Sequence, residues 1–286
     1  MRLLIFGLGY TGTAIATAAR EAGFAVTGTV REPAGPQPAG PDTVLFDAAT
    51  PAIAAATHLL STIPPDLQSD PVLARHADAI ATAPHLRWIG YLSSTVVYGD
   101  RDGGWVDEDT QPAPSQDRGH RRLDAETAWT GLSATHEVAI FRLAGIYGPG
   151  RSAFDDLRSG RARRILKPGH AFGRIHRDDI AGAVLAAMRQ PATTGRRIFN
   201  LTDDEPAETA RVLEEAARLL HVPSPPGIAF TDAVPAMSPM ARSFWAENRK
   251  VASRKTQAAL GYAWRYPTYR ESLRAILRQQ TADQPP

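Results

Sequence analysis

The feature that most constrains this chain is the segment at 7–12, Gly-Leu-Gly-Tyr-Thr-Gly. It follows an apolar run at 3–6 whose only nearby charge is Arg2, the pattern of a strand buried on both faces. An alanine-rich stretch at 13–22 comes next and reads as a helix stopped by Gly23, and a second strand follows at 25–30. Strand, glycine turn, helix and strand within about 30 residues make one βαβ unit. In that setting each glycine has its own task. Gly7 permits a tight turn, Gly9 lets the backbone approach a pyrophosphate, and Gly12 lets helix and strand pack closely. Tyr10 and Thr11, between the glycines, are further cofactor-binding candidates, and the helix N-terminus offers unpaired N–H groups and a positive dipole end to phosphates. A glycine turn used for packing alone is the plainer alternative; the βαβ context favours a bound dinucleotide.

Strand patterns recur at 43–46, 58–61, 86–92 and 137–142, and the intervening segments 69–82 and 118–132 have helical composition. This alternation predicts an α/β fold, a Rossmann-type doubly wound parallel sheet. Proline- and glycine-bearing loops are expected at 33–41 and 100–117. Beyond residue 147 the rhythm changes. The stretch 148–174 is rich in glycine and arginine, with a helix at 152–159. A helix at 178–188, a strand at 197–201, a helix at 208–220, a proline-laden loop at 223–239 and helices near 253–260 and 268–279 complete the reading. The expected division is a dinucleotide-binding domain at 1–147, rejoined by 175–201, and a small C-terminal substrate-binding subdomain within 148–286. The tail at 281–286 is expected to fray.

The chain has 286 residues, a formal net charge of +2 and no cysteine. The missing cysteines exclude disulfides, thiolate nucleophiles and cysteine-held metals, and no His/Asp/Glu cluster has ligand spacing, so no metal is expected. No run approaches the ~20 apolar residues of a membrane span, and the opening MRLLIF is too short for a secretory signal core. A cytoplasmic location without membrane association is the default expectation. The run RSGRARR at 158–164 reads first as a solvated face and second as a seat for a phosphate-bearing substrate. It lacks the aromatic interleaving of a nucleic-acid site, and no such partner is expected.

Cofactor choice turns on the end of the second strand, where NAD-selective proteins place an acid that accepts from the ribose 2′-hydroxyl. Here Val30 is followed by Arg31, whose planar fork suits a 2′-phosphate, so NADP is favoured. Glu32, one residue on, would favour NAD if the register slipped, and Arg31 as a solvated loop charge is the plain alternative. Asp47 ends the third strand, where it either faces the adenine amino group or caps the loop. Thr62, in the Ser61–Pro64 segment, is either a cofactor contact or part of a turn.

Four segments, GLGYTG at 7–12, YLSSTVVYGD at 91–100, FRLAGIYGPGR at 141–151 and GRIHRDDIAGA at 173–183, together resemble the extended short-chain dehydrogenase/reductase family. That family includes nucleotide-sugar epimerases and dehydratases; the closing stretch 251–277 is similar to its C-terminal end. The resemblance implies a Ser, a Tyr and a Lys acting together as hydride moves to or from the cofactor. Ser94 matches the serine, four residues before Tyr98. Glu126 matches a glutamate that follows the lysine, and counting back places Arg122 at the Lys position and Arg118 at the Tyr position. No tyrosine lies between Tyr98 and Tyr147. Arg122 can still hold ribose hydroxyls, but Arg118 cannot exchange a proton near neutral pH because its pKa exceeds about 12. The chain thus resembles the atypical branch of the family. His120 is the nearest titrating group and the candidate substitute acid/base, against the plainer reading of an exposed histidine at a helix start. Tyr98 and Tyr147 read as framework. The resemblance also implies that Pro149 lies beside the nicotinamide and that Arg174 and His176 lie near the substrate, while Asp178 or Asp179 has a plain role available as a helix N-cap.

Two functions stay open at this point. One is an NAD(P)-dependent oxidoreductase or epimerase/dehydratase-like enzyme acting on a nucleotide sugar or similar polar metabolite. The other is a catalytically silent NADP-binding sensor or scaffold. The resemblance further implies a homodimer through 69–82 and 118–132, with Val72, Leu73, Ile80 and Leu123 as contributors; ordinary packing on the sheet would use the same residues.

Overall fold

A computed structural model describes residues 1–32 and 41–282. The loop expected at 33–41 falls outside the described residues except for Pro41, as does the tail beyond residue 282. In chain order the first half contains β1 (Arg2–Phe6), α1 (Tyr10–Glu21), β2 (Ala25–Val30), β3 (Asp42–Leu45), α2 (Thr50–Ala55), β4 (His58–Ser61), α3 (Pro71–Ala81), β5 (Trp88–Ser94), β6 (Trp105–Val106), α4 (Asp117–Thr130) and β7 (Glu137–Leu143). The second half contains β8 (Gly145–Tyr147), α5 (Ala153–Arg158), β9 (Arg164–Leu166), β10 (Arg174–His176), α6 (Arg177–Arg189), β11 (Gly195–Leu201), α7 (Thr209–Leu219), β12 (Gly227–Ala229), α8 (Phe230–Ala233), α9 (Pro239–Trp245), β13 (Lys250–Val251), α10 (Arg254–Leu260) and α11 (Tyr269–Ala282).

Seven strands form one parallel sheet in the order β3-β2-β1-β4-β5-β7-β11. This is the Rossmann-type arrangement that the βαβ rhythm predicts, with the order reversing between β1 and β4. Side-chain alternation along the strands decides what covers each face. Leu3 and Ile5 of β1 pack with Ile15 and Ala19 of α1 and with Ile180 and Val184 of α6. Leu4 and Phe6 point the other way, toward Ile53, Val72, Ile80 and Trp129 of α2, α3 and α4. Both faces are covered, which is why the strands read as continuous apolar runs. A third core joins Phe154, Ala216, Tyr269, Leu273 and Ile276 from α5, α7 and α11. Three two-stranded parallel pairs, β8 with β10, β9 with β12 and β6 with β13, lie outside the large sheet.

Several boundaries differ from the sequence reading, each for a physical reason. The first helix begins at Tyr10 rather than residue 13, because the third glycine of the motif sits inside its first turn. Helix α2 was not anticipated, being six residues long with a proline at its start. The stretch 223–239 is not a plain loop, since it carries β12, α8 and a 3-10 turn, Val234–Ala236. Helix α9 follows, with the Ser238 hydroxyl accepting from the Ala241 N–H at 3.2 Å and a proline in its first turn. No helix among the described residues is long and apolar enough to cross a membrane.

Candidate functional site

At the C-terminal end of β1 the glycine turn is fixed by contacts that leave no freedom at two positions and open space at the third. Gly7 has φ +94°, and a Cβ there would stand 2.7 Å from Thr62 Oγ1. A Cβ on Gly12 would lie 2.1 Å from the Gly7 carbonyl oxygen. Thr62 Oγ1 donates to that same carbonyl at 2.8 Å, while the Gly7 N–H donates to Thr29 Oγ1 at 3.1 Å. Around Gly9, by contrast, a Cβ would meet nothing within 4 Å. Gly9 is also the N-cap of α1 and supplies no side-chain cap for the first-turn N–H groups. The groove beside it measures about 890 Å³ and is lined by Gly7, Gly9, Val30, Arg31, Asp47 and Thr62 among others. Arg31 is exposed just past β2. Asp47 sits in a 3-10 turn, Phe46–Ala48, and accepts from Arg75 Nε at 3.3 Å in an exposed pair of little energetic weight. Thr62 lines the groove but commits its hydroxyl hydrogen to the loop carbonyls, so its first role is to lock the turn. The Tyr10 and Thr11 backbone opens α1, and the Tyr10 hydroxyl donates to the Pro149 carbonyl at 3.0 Å, tying the start of α1 to the loop after β8.

A second cavity of about 470 Å³ opens where β5, β7 and β8 meet α4 and α9. Ser94, Arg118, Arg122, Arg174 and Tyr147 all line it. Ser94 ends β5, and its Oγ accepts from the Val96 N–H at 3.3 Å. Arg122 is anchored to the sheet, Nη1 donating to the Tyr91 hydroxyl and the Leu92 carbonyl, each at 3.0 Å. One turn earlier on α4, the Arg118 guanidinium lies 4.2 Å from the ring centre of Phe244. Among the described residues its one hydrogen bond, Nη2 to the Ser243 carbonyl, is long at 3.4 Å, and its Nε is buried with no partner. Burial lowers the Arg118 pKa, though an arginine stays charged at any ordinary pH. Arg174 is different: Nη1 donates to the carbonyls of Phe172 and Ala207 at 2.8 and 2.9 Å, and Nη2 reaches Thr209 Oγ1 at 3.4 Å. Burial lowers its pKa, opposed by Asp203. Burial, then the Asp203 charge, pushes the Tyr147 phenol up.

Two expected site residues stand elsewhere. His120 is exposed on α4 and does not line the cavity. His176 is 1% exposed, and its Nδ1 accepts from the Asp178 N–H at 3.1 Å, so the histidine itself caps α6. The cap expected from Asp178 or Asp179 is therefore supplied by His176. Burial holds its pKa down to about 4, and its ring lies 4.2 Å from that of Tyr266, so it acts as a neutral acceptor in the framework. Asp179 instead accepts from the backbone N–H groups of Arg265 and Tyr266 and from the Tyr262 hydroxyl. Tyr98 is buried and donates to Asn200 Oδ1 at 2.8 Å. Sequence reasoning missed Phe244, Glu247 and Arg249 on the cavity wall; the Ser238–Pro239 pair was the available sign of the helix that carries Phe244 toward it.

The four arginines of 158–164 each have a partner within the chain: Gln280, Asp156, the Gly160 and Ala162 carbonyls, and Pro225 with Glu214. Val72 and Ile80 are fully buried in the chain's own core, and Leu73 and Leu123 are partly buried against it. Among the described residues no group of three or more His, Asp or Glu is placed to hold a metal ion.

No protein-family profile matches the chain. It is similar over 99% of its length to 99% of a conserved protein of unknown function from Silicibacter pomeroyi DSS, with 41% identity and a TM-score of 0.87. A structure from Methylobacillus flagellatus described as an NAD-dependent epimerase/dehydratase is 26% identical over 98% of both chains, with a TM-score of 0.74. At the level of fold alone, the human epimerase family protein SDR39U1, solved with NADPH, aligns over 97% of this chain and 99% of its own at 20% identity and a TM-score of 0.76. Curated relatives match over about half their length. Protein YeeZ from Escherichia coli K12 is 34% identical over 150 residues, 51% of this chain and 50% of that protein. A 3-diazoavenalumate denitrifying reductase from Streptomyces sp is 30% identical over 152 residues, 50% of this chain and 48% of its own.

Proposed function

We propose that this chain, which is similar to an NAD-dependent epimerase/dehydratase over 98% of its length and whose motifs resemble the extended short-chain dehydrogenase/reductase family, is an NADP-dependent reductase working without that family's tyrosine–lysine pair. The observation that carries this reading is the glycine cradle: Gly7 and Gly12 have no room for a side chain, while Gly9 borders open space at the bare N-terminus of α1. That arrangement suits a pyrophosphate held by backbone amides. Arg31, exposed at the rim, supplies a planar fork for a 2′-phosphate.

When bound, the nicotinamide supplies or accepts hydride. The chain's own groups do the rest. Arg122, fixed by Leu92 and Tyr91, would hold the ribose hydroxyls with its other nitrogens, the part the resemblance gives to the family's lysine. Ser94, whose oxygen already accepts from Val96, keeps its proton for a substrate oxygen. Arg118 stands where the resemblance places the proton-transferring tyrosine, and it neither gives nor takes a proton at neutral pH. Epimerisation and dehydration of a sugar begin by removing a hydroxyl proton, which needs a base there. Reduction by hydride does not, since the product can take its proton from water. The likeness to a reductase over half of each chain supports the same choice.

The direct test titrates the full chain with NADPH and NADH, following binding by fluorescence, then screens electron-poor acceptors for cofactor oxidation. NADPH is expected to bind about tenfold or more tighter than NADH, the effect of one charge-assisted contact. Absence of binding by either cofactor overturns the proposal. Binding without oxidation in the presence of any acceptor would favour the silent cofactor-holding protein, a reading supported by the lack of a titrating group in the cavity at position 118.

A further inference from the structure

The cavity beside Ser94 is unusually basic. Arg118, Arg122, Arg174 and Arg249 reach it, against one carboxylate, Glu247. Among the described residues only Arg249 of these is paired with a carboxylate; two of the others spend donors on neutral oxygens. Arg249 Nη1 pairs with Glu247 at 2.7 Å and with the Gly99 carbonyl at 2.8 Å. Glu247 also accepts from Ser115 Oγ at 2.7 Å. Arg174 spends its donors on Phe172, Ala207 and Thr209, and Arg122 is tied to β5. Arg118 is the least satisfied of the four: among the described residues it holds a single long bond, and its buried Nε has no acceptor. A half-buried guanidinium in that state carries an unmet demand for an anion.

We infer that Arg118 is the anchor for a carboxylate on the substrate, and that the substrate is a compact organic acid with an apolar body rather than a nucleotide sugar. The inference rests on the reductase reading above only for what the acid meets beside it. The planar fork, stacked on Phe244, suits a planar carboxylate held by two parallel bonds. The same cavity wall includes Val96, Leu143, Ile146 and Phe172, which offer apolar surface to the body of such an acid. The volume agrees. At about 470 Å³ the cavity lies low in the roughly 300–1,000 Å³ range of ligand pockets.

The substitution of arginine for a proton donor thus changes what the position recognises. A hydroxyl-oxidising enzyme needs a phenol there; an enzyme that reduces the body of an acid needs a counter-charge for the carboxylate.

The test is calorimetric titration of the full chain, with and without NADP, using trans-cinnamate, its neutral amide cinnamamide, phenyl phosphate and UDP-glucose as probes. Cinnamate is expected to bind about tenfold or more tighter than cinnamamide, and tighter than the other two. Arg118→Met should erase the preference for the acid over the amide, and Arg118→Lys should keep part of it; NADP titration of each variant reports whether the fold survives. Equal affinity for acid and amide, no binding of cinnamate, tighter binding of phenyl phosphate or UDP-glucose, or an unchanged preference in Arg118→Met overturns the assignment. The two readings fail separately. Acid binding that depends on Arg118 without any NADP binding would keep the anion site and remove the reductase, and the reverse would remove the anion site alone.

Discussion

The Arg142 guanidinium on β7 lies 2.7 Å from the Glu126 carboxylate on α4, and both side chains are out of solvent. The same carboxylate accepts from Ser93 Oγ at 2.6 Å. Glu126 stands one turn after Arg122 on α4, so this pair fixes the face of the helix that reaches the cavity. Removing one partner of a buried ion pair leaves an uncompensated charge and costs about 3–5 kcal/mol. Glu126→Ala is therefore expected to lower unfolding free energy by that amount in urea titrations. The double change Glu126→Leu with Arg142→Met should recover most of it, because an apolar pair of similar size leaves no charge unpaired. A double variant as unstable as the single one would show that the charge is not the cause.

Gly9 and Gly12 separate a binding role from a packing role within one motif. Gly9 has φ −78° and open surroundings, so alanine fits and unfolding free energy should stay within about 1 kcal/mol of the parent. The added methyl stands where a pyrophosphate would approach, and NADP affinity should fall tenfold or more. At Gly12 the methyl would lie 2.1 Å from a backbone oxygen, so the turn must shift and stability falls along with binding. Equal NADP affinity in Gly9→Ala would separate the motif from the cofactor.

Much of the sheet was readable because its strands are buried on both faces. Runs such as that around Leu59 and Leu60, or Val138 to Phe141, have no other home in a chain of this composition. The three two-stranded pairs were not readable, since β8, β10, β9 and β12 are three residues each and β6 and β13 two, too short to show a period. The glycine turn at the end of β1 was legible because Gly7, Gly9 and Gly12 act locally, through backbone geometry. The other end of the site depends on side chains that meet across long sequence distances. Arg118 meets Phe244, 126 positions away, only after α9 folds back, and nothing local to either residue announces that contact. His176 misled for the opposite reason. A histidine next to an arginine in a family motif looks functional, yet the helix start two residues on needed an acceptor and took its ring nitrogen.

Arg31 decides between the two dinucleotides if its fork receives the extra phosphate. Arg31→Ala should weaken NADP binding by about tenfold or more, the loss of one charge-assisted hydrogen-bonding group, and leave NAD within about twofold. Because the residue is exposed, the change should not move the unfolding midpoint. Isothermal titration of both cofactors against parent and variant reads the difference; an equal loss for both would place the phosphate elsewhere.

Two buried histidines make acid the condition under which this fold weakens. Burial holds His176 and His58 at about 4, against roughly 6.5 in an unfolded chain. For His176 the nearby Asp178 opposes the effect of burial, while Arg177 and Arg265 add to it. Between pH ~6.5 and ~4 the unfolded chain binds protons that the folded chain does not. Stability is thus fully present above about 6.5 and is lost as the pH falls toward 4, by up to about 3 kcal/mol for each histidine. His176→Asn keeps an acceptor for the Asp178 N–H and removes the titrating ring. Urea unfolding measured from neutral pH down to about 4.5 should therefore show a shallower decline in the variant, by close to one proton taken up on unfolding. A slope identical to the parent's would mean that His176 already carries its proton in the folded state, and that the α6 cap is made some other way.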